Sequence, residues 1–240
     1  MKFSAKRFGL ITIGLTLLIA IAVGGFFVEM HHRFHPAAPP KQDPPAANAL
    51  DAQRQDIRYF RHLIALDRSF ASKDRTEANR RLDALEALAN VLDRPHFRVS
   101  LMQIDALADN GHSRVEYERG AAPFELPVRV SAFSDGLYIM RATEINADLL
   151  GSRVTAIDGQ SIDEVMAKLE RLRGGAPQWR RLHASQYLAL QDLLYGIDVA
   201  PDTQHSTWTV QTPVGTTITR RLEAYEPPAG EPEIFVHRWL

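Results

Sequence analysis

A serine, a histidine and an aspartate stand close together where a predicted helical region ends. Asp109, His112 and Ser113 are the residue types of a nucleophilic triad, in which the histidine takes the serine proton and the aspartate orients the histidine. A triad is defined by positions in space, however, and neighbouring residues of a strand point to opposite faces. We therefore interpret Asp109 as a turn residue and His112 as a residue that packs or bonds to the backbone locally.

Lys168 is the only lysine beyond residue 73 and so the only candidate there for the base of a serine–lysine pair. Such a base needs a pKa lowered by burial beside a serine. Glu164 and Glu170 lie near Lys168 on a predicted helix, which favours a solvated ion pair. Ser161 is typical of a helix cap. Gly-x-Ser-x-Gly, His-Glu-x-x-His and phosphate-binding glycine motifs do not occur. We predict no catalytic residue and no cofactor within these residues.

Three histidines, His31, His32 and His35, follow the first apolar segment of the chain and are candidate metal ligands. Histidine clusters beside a membrane segment are more often solvated than bound to metal. We therefore predict no metal site.

A more specific pattern consists of two short strands and two glycine turns. Asp135 and Gly136 precede the first strand, and a second strand follows Gly151. The second strand closes at Asp158-Gly159, a dipeptide that favours the positive backbone angles of a tight turn, and a helix then begins at residue 162.

This pattern resembles the PDZ-like domain of the tail-specific (C-terminal-processing) serine peptidases and their periplasmic relatives. Residues 106–115 are similar to the segment that joins the N-terminal helices of that family to the first strand. Residues 186–197, 208–210 and 217–222 are similar to what precedes the catalytic core in one branch of it. The resemblance covers roughly residues 50–225, in short motifs.

In PDZ domains the C-terminus of a peptide adds as a strand beside a sheet edge, while backbone amides of a glycine-rich loop hold its carboxylate. The resemblance assigns peptide binding to Gly136, Leu137, Tyr138 and Ile139. It also implies a serine–lysine catalytic domain that would begin near or after residue 240. We therefore expect no hydrolysis from these 240 residues.

Three functions follow from this resemblance. The chain is the membrane-tethered, periplasmic peptide-recognition portion of a peptidase-like protein, or a stand-alone periplasmic adaptor with a PDZ-like module. The third possible function is that of a structural domain whose PDZ-like groove is filled by its own chain. The expected partners are peptide or protein C-termini and the inner membrane.

Helices and strands are predicted from the spacing of apolar residues. Three amphipathic helices occupy residues 50–109, since their apolar residues recur every three or four positions. These stripes are Ile57, Phe60, Leu63 and Ile64; Leu82, Leu85, Leu88 and Leu92; Phe97, Leu101, Ile104 and Leu107. Alternating segments predict strands at residues 113–117, 126–133, 137–142, 153–157, 206–212 and 216–222. Two further helices are predicted at residues 162–172 and 178–195.

The amino terminus carries an apolar run. Residues 10–28 are nineteen residues without a charge, close to the ~20 that a helix needs to cross a bilayer. Lys2, Lys6 and Arg7 precede the run, and such basic flanks stay cytoplasmic. We predict a single-pass inner-membrane anchor with a cytoplasmic amino terminus and a periplasmic body. A signal peptide cleaved after Ala22 is the alternative.

Composition and order of elements predict an α+β protein: a transmembrane anchor, a three-helix region, and a PDZ-like β-rich domain with two additional helices. The net charge of −1 gives no indication of nucleic-acid binding. Without cysteine, stability must come from packing. The predicted segments are 1–30, cytoplasmic stub and anchor; 31–49, proline-rich stalk; 50–109, helical region; 110–225, PDZ-like domain; and 226–240, linker-like tail.

Overall fold

The computed structural model of the chain describes residues 5–34, 43–115 and 124–226, with side chains from residue 13 onward. It divides into two compact units, Met1–Gln42 and Asp43–Leu240. Residues 35–42 of the predicted proline-rich stalk, including His35, and nearly all of the predicted tail lie outside the described residues.

The first unit contains one helix, α1 (Ala5–Phe34). Its segment Ile13–Phe34 has a mean hydropathy of 2.2 and no buried residue, and it is the one helix in the described ranges that is long and apolar enough to span a membrane. A signal sequence at the N-terminus has the same properties. The orientation of α1, its retention and cleavage after Ala22 stay predictions. Among the described residues, no cluster of three or more metal-ligating side chains occurs.

The second unit begins with the three predicted helices. They are α2 (Ala49–Leu66), α3 (Ser72–Leu88) and α4 (Arg94–Asp105), the last followed by a 3₁₀ turn, Ala106–Ala108. Asn48 caps α2 by accepting a hydrogen bond from the amide of Asp51 at 2.9 Å. Asp93 caps α4 in the same way, with the amide of His96 at 3.0 Å. These side chains satisfy amides that have no partner within the helix.

The three helices enclose a helical cluster of apolar side chains. Its buried members are Ile57, Ile64, Phe70, Ala78, Leu82, Leu85, Phe97, Leu101, Ile104 and Ala108. Most belong to the predicted stripes, but Leu88 is 51% exposed. Leu88 is the last residue of α3, where the helix passes into a turn and leaves the packed face.

An antiparallel sheet follows, as the α+β prediction requires. Its strands are β1 (Val128–Phe133), β2 (Gly136–Ala142), β3 (Arg153–Ile157), β4 (Gln160–Ser161), β5 (His205–Gln211) and β6 (Thr217–Glu223). The order across the sheet is β1-β2-β3-β5-β6, and the short β4 pairs with β3. Three helices lie between β4 and β5 in the chain: α5 (Ile162–Leu169), α6 (Pro177–Tyr187) and α7 (Gln191–Gly196).

The sheet and these helices enclose a second core around Trp208, which is fully buried. Helix α4 contributes Val99 and Met102 to this core, while its other face supplies Phe97 and Leu101 to the helical cluster. The helical region and the sheet therefore share α4.

Two sequence predictions differ from the structure. Residues 113–115 of the strand predicted at 113–117 are not in a strand, and the rest of it lies outside the described residues. The helix predicted at 178–195 is broken into α6 and α7. The amide of Leu126 bonds to the carbonyl of Ala189 at 2.8 Å, and the amide of Gln191 bonds to the carbonyl of Phe124 at 2.9 Å. The backbone between α6 and α7 thus pairs with the segment before β1 and cannot continue a helix.

Two segments of the chain, residues 109–111 and 174–175, cross in direct backbone contact just after the end of the helix predicted at 162–172. A Cβ on Gly174 would lie 2.6 Å from the amide nitrogen of Asn110, and Gly175, with φ +99°, lies against Gly111. Side chains close the crossing, because Arg173 and Trp179 both donate to the carbonyl of Gly111, at 3.0 and 2.9 Å. No residue larger than glycine fits this contact without displacing backbone.

The carboxyl group of Asp105, at the end of α4, interacts with Arg173 of this contact, and its pKa allows the packing to be tested. Burial and repulsion by Asp67 raise its pKa to about 6, against the opposing effect of Arg173. The folded protein therefore binds the Asp105 proton more tightly than the unfolded chain does, so this group lowers stability as pH rises from about 4 to above 6. We expect Asp105→Asn to raise the free energy of unfolding by about 1–3 kcal/mol at pH 7 and to give little gain at pH 4, as measured by urea denaturation.

The exposed carboxylate of Asp163 is the control, and Asp163→Asn should give no such gain. An equal stabilisation by Asp105→Asn at both pH values would show that charge burial is not its cause.

Candidate functional site

The predicted peptide-binding residues Gly136, Leu137, Tyr138 and Ile139 form the first half of β2. This strand is internal, because β1 pairs with one side of it and β3 with the other. Leu137 and Ile139 point into the core and are 2% and 0% exposed. Gly136 and Tyr138 lie on the outer face of the sheet and are partly accessible. Peptide binding by this segment stays a prediction, and only these two members present atoms to solvent.

Aromatic and charged side chains cover the outer face around Gly136. The Tyr138 hydroxyl donates to Asp135 Oδ2 at 2.9 Å, and its ring meets that of Phe133 edge to face at 5.7 Å. The side chain of Arg153 crosses Gly136, so that a Cβ there would lie 2.7 Å from Arg153 Nε. A side chain at position 136 would therefore have to displace the side chain of Arg153.

The free edge of the sheet on this side belongs to β1. Among the described residues, no strand pairs with the outer side of β1. Phe133 and Gly136 close a two-residue hairpin loop, so the antiparallel ladder directs the amides of Ser131 and Phe133 toward β2. The amide and carbonyl groups of Ala132 point away from β2. The sequence predicts this strand at residues 126–133 and assigns peptide binding to residues of β2, an assignment that stays a prediction.

The chain itself occupies part of this edge. The bonds of Ala189 and Gln191 to residues 124–126, just before β1, form an antiparallel bridge. The helix that packs against β1 is α6, which also contacts α5. Ala184 and Leu188 are fully buried there. An isolated bridge from the same chain therefore lies directly before the start of this edge.

A second polar site lies where α4 begins. The ring of His96 lies between two carboxylates, with Nδ1 2.7 Å from Asp93 Oδ1 and Nε2 3.3 Å from Asp198 Oδ1. The Tyr195 hydroxyl donates to Asp93 Oδ2 at 2.9 Å, and its ring meets that of His96 edge to face. Asp198 has a left-handed backbone, φ +55°, directly after α7. This His96 cluster ties α4 to the segment that follows α7.

The His96 cluster borders an open cleft of about 770 Å³, which the turn Asp158-Gly159 lines on the other side. Partial burial lowers the pKa of His96, but the hydrogen bonds that its ring makes to Asp93 and Asp198 outweigh this effect and raise that pKa above its ordinary value. Burial likewise acts to raise the pKa of Asp93, and the hydrogen bonds from His96 and Tyr195 bring it below its ordinary value. The arrangement favours a charged histidine held between carboxylates, which is an ion-pair network.

The other residues singled out from the sequence take structural roles. Ser113 Oγ lies 3.1 Å from Asn110 Nδ2 and 3.3 Å from Asp67 Oδ2, and Asp109 Oδ1 accepts the amide of Gly175 at 3.0 Å. Ser113 and Asp109 are thus engaged with other partners, and the backbone amide of His112 donates to Asn110 Oδ1 at 3.0 Å.

Ser161 caps α5 in a reciprocal pair with Glu164, as expected. Hydrogen bonds from Ser161, and then the charge of Lys168, lower the pKa of the Glu164 carboxyl group. Lys168 thus acts on Glu164, one of its two predicted partners, without a hydrogen bond to it among the described residues. Its ammonium donates to Gln160 Oε1 at 2.9 Å and to the carbonyls of Ile197 and Asp198 at 3.2 Å, because the segment after α7 folds over α5.

No family model matches the chain, and no curated protein matches it. Solved structures of CPAF, a chlamydial tail-specific protease-like serine protease, are similar to it. A CPAF mutant gives 18% identity and a TM-score of 0.54, over 76% of this chain and 35% of that chain. Mature CPAF gives 20% and 0.52, over 77% and 36%. Mature CPAF complexed with lactacystin gives 16% and 0.52, over 77% and 36%.

At these identities the likeness to CPAF is one of fold, and the chain spans about a third of the length of these structures. The resemblance to tail-specific serine peptidases is confirmed at that level. The PDZ-like assignment within it stays a prediction.

The His96 cluster predicts a pH-dependent contribution to stability. Because the pKa of His96 is raised in the folded protein, its contribution is fully present below the ordinary histidine pKa and is lost as pH rises through the folded value. We expect His96→Gln to lower the melting temperature by about 2–5 °C at pH 6 and by clearly less at pH 9, as measured by scanning calorimetry.

The exposed His62 on α2 provides the matched control, since His62→Gln should change neither value. Identical losses for His96→Gln at pH 6 and pH 9 would exclude the charged histidine as the source of stability.

Proposed function

We propose that this chain is the membrane-tethered, periplasmic peptide-recognition portion of a tail-specific serine peptidase-like protein and does not hydrolyse peptides by itself. The observation that carries the proposal is the outer edge of β1, which offers backbone groups without a strand partner among the described residues. The fold shared with CPAF supports the peptidase relationship.

The edge of β1 suits peptide recognition by strand addition. An unpaired sheet edge is a template for an extended chain, and main-chain hydrogen bonds then supply the affinity. Residues 189–191 already use the start of this edge in that way. A peptide would continue the same pairing along β1, at the outward amide and carbonyl of Ala132.

In this proposal the buried and the accessible residues of the predicted segment Gly136–Ile139 have different roles. Leu137 and Ile139, buried in the core, hold β2 and therefore the register of β1. Outward side chains of the peptide would lie beside Phe133, whose ring contacts Tyr138. Tyr138 and Gly136 thus form the accessible surface next to the bound strand.

Helix α1 would hold this module at the inner membrane with its body in the periplasm. The apolar segment Ile13–Phe34 supports the tether, and Lys2, Lys6 and Arg7 support a cytoplasmic amino terminus. Proteolysis would depend on a catalytic domain supplied outside these residues.

A second function, a structural domain whose groove is filled by its own chain, is favoured by one observation. Helix α6 packs against β1, and residues 189–191 pair beside it. Since Ala184 and Leu188 are fully buried, displacing α6 completely would expose core side chains.

Peptide binding distinguishes the two functions. With the full chain in lipid nanodiscs, we expect saturable binding of fluorescent peptides that end in a free carboxylate and weaker binding of their amidated forms. Ala132→Pro should reduce the affinity about tenfold or more, because the ring removes an outward amide and blocks the edge. The ladder to β2 should survive, since the amide of Ala132 does not point toward it.

The control for this variant lies at the opposite edge of the sheet. The amide of Thr212 bonds to the carbonyl of Thr216, so by alternation the amide of Thr219 on β6 points outward. Thr219→Pro should leave peptide affinity unchanged. Trp179→Ala should increase the peptide affinity, because it removes the hydrogen bond that holds α6 to Gly111. Absence of saturable binding in both the wild-type protein and Trp179→Ala would favour the structural domain and reject peptide recognition.

The tether predicts how the protein behaves in a bacterial envelope. The expressed protein should stay in the membrane pellet after alkaline carbonate extraction, and mass spectrometry should find residues before Ala22 still attached. A soluble body whose sequence begins after Ala22 would establish the cleaved signal peptide instead.

A further inference from the structure

A smaller cleft lies on the other side of the His96–Asp198 contact, between α4 and the segment after α7. Its volume is about 340 Å³. One wall is apolar, with Leu92 and Val99 on the α4 side and Ile197 facing them. Val99 and Ile197 are fixed by the core, being 4% and 6% exposed. They form the floor of the cleft, and Leu92, which is partly exposed, presents most of its accessible apolar surface.

Two cations stand at this cleft. Lys168 and Arg171 both line it. Among the described residues, the Lys168 ammonium donates hydrogen bonds only to uncharged oxygens. These are the side-chain amide oxygen of Gln160 and the backbone carbonyls of Ile197 and Asp198. Within residues 43–115 and 124–226, no carboxylate forms an ion pair with Lys168 or Arg171.

The acidic groups nearby are already engaged. Glu164, one turn before Lys168, accepts hydrogen bonds from the amide and hydroxyl of Ser161, at 3.0 and 2.7 Å. His96 and Asp198 also line the cleft, and the Asp198 carboxylate lies 3.3 Å from His96 Nε2. Glu164 is held first by Ser161 and interacts with Lys168 through charge alone. The two cations therefore have no direct ion-pair partner in the described ranges and lie beside an apolar wall, a combination that suits an anion carrying an apolar group.

We propose that this cleft binds a carboxylate attached to an apolar group, the chemistry shared by the last residue of a peptide and by a free short-chain carboxylate. The carboxylate lies between Lys168 and Arg171, and the apolar group packs against Val99 and Ile197. Gln103, which also lines the cleft, provides a further polar group. The site is separate from the edge of β1 and stands whether or not that edge binds peptides.

Ligand-observed saturation-transfer NMR tests the cleft, with the full chain in nanodiscs and N-acetyl-leucine as the probe. We expect saturable binding of N-acetyl-leucine and a much weaker signal from N-acetyl-leucine amide, which lacks the charge. An acetylated tripeptide ending in leucine and hexanoate separate the two sources. Tighter binding of the tripeptide indicates a peptide end, and tighter binding of hexanoate indicates a free carboxylate.

Arg171→Ala is the decisive variant, because Arg171 is exposed and its loss should not affect folding. We expect it to weaken binding of N-acetyl-leucine about tenfold, the size of a lost charge-assisted hydrogen bond. Lys168→Met should weaken binding as well, and the exposed Arg141→Ala on β2 serves as the control that leaves it unchanged. Ala132→Pro should also have no effect, which separates this site from the β1 edge.

Equal binding of N-acetyl-leucine and its amide would overturn the proposal, as would wild-type affinity in both Arg171→Ala and Lys168→Met. The absence of any saturable signal from the four probes would overturn it too.

Discussion

Helix α4 is buried on two faces, and the rest of the second unit is arranged around this constraint. One face gives Val99 and Met102 to the core of the sheet, and the other gives Phe97, Leu101 and Ile104 to the helical cluster. A helix that is apolar on more than one face must be covered on each of them. The helices before it and the sheet after it therefore cannot separate without exposing one of these faces, so the unit that begins at Asp43 holds together as one body.

Two groups of polar contacts lie at the two ends of the same helix. At its start, Asp93 and His96 bond to Tyr195 and Asp198 from the segment around α7. At its end, Asp105 is held near Asp67 and Arg173, which accounts for the raised pKa of its carboxyl group. Because α7 is anchored at the start of α4, clefts form on both sides of the His96–Asp198 contact. The larger is open and lined by both polar and apolar residues, whereas the smaller combines an apolar wall with Lys168, Arg171 and Asp198.

The outer edge of β1 is the part of the sheet on which the proposed function depends. Proteins commonly cover an exposed edge strand to prevent pairing with other chains, and here α6 and residues 189–191 cover part of β1. The anchors of α6 are strong, since Trp179 and Arg173 both bond to Gly111 where two backbones cross. The same edge is thus covered at its start, and beyond that point no strand of the described residues pairs with it.

Local features could be derived from the sequence because their partners are a few residues apart. The cap at Asp93, the reciprocal cap of Ser161 and Glu164, and the tight turn at Asp158-Gly159 all follow from side-chain chemistry within one turn of chain. So do the apolar run at the amino terminus and the alternation that predicted most strands. The resemblance to tail-specific peptidases rested on such short motifs, and the shared fold agrees with it.

What the sequence could not determine depends on contacts between distant segments. The break between α6 and α7 arises because Ala189 and Gln191 pair with residues more than sixty positions earlier, whereas the local pattern is helical throughout. That β2 is internal and β1 lies at the edge is a property of strand order, which no single strand encodes. The carbonyl partners of Lys168 come from a segment that only folding places over α5. Strand order and side-chain partners are decided by how whole elements pack, and here that packing is set by the helix the two cores share.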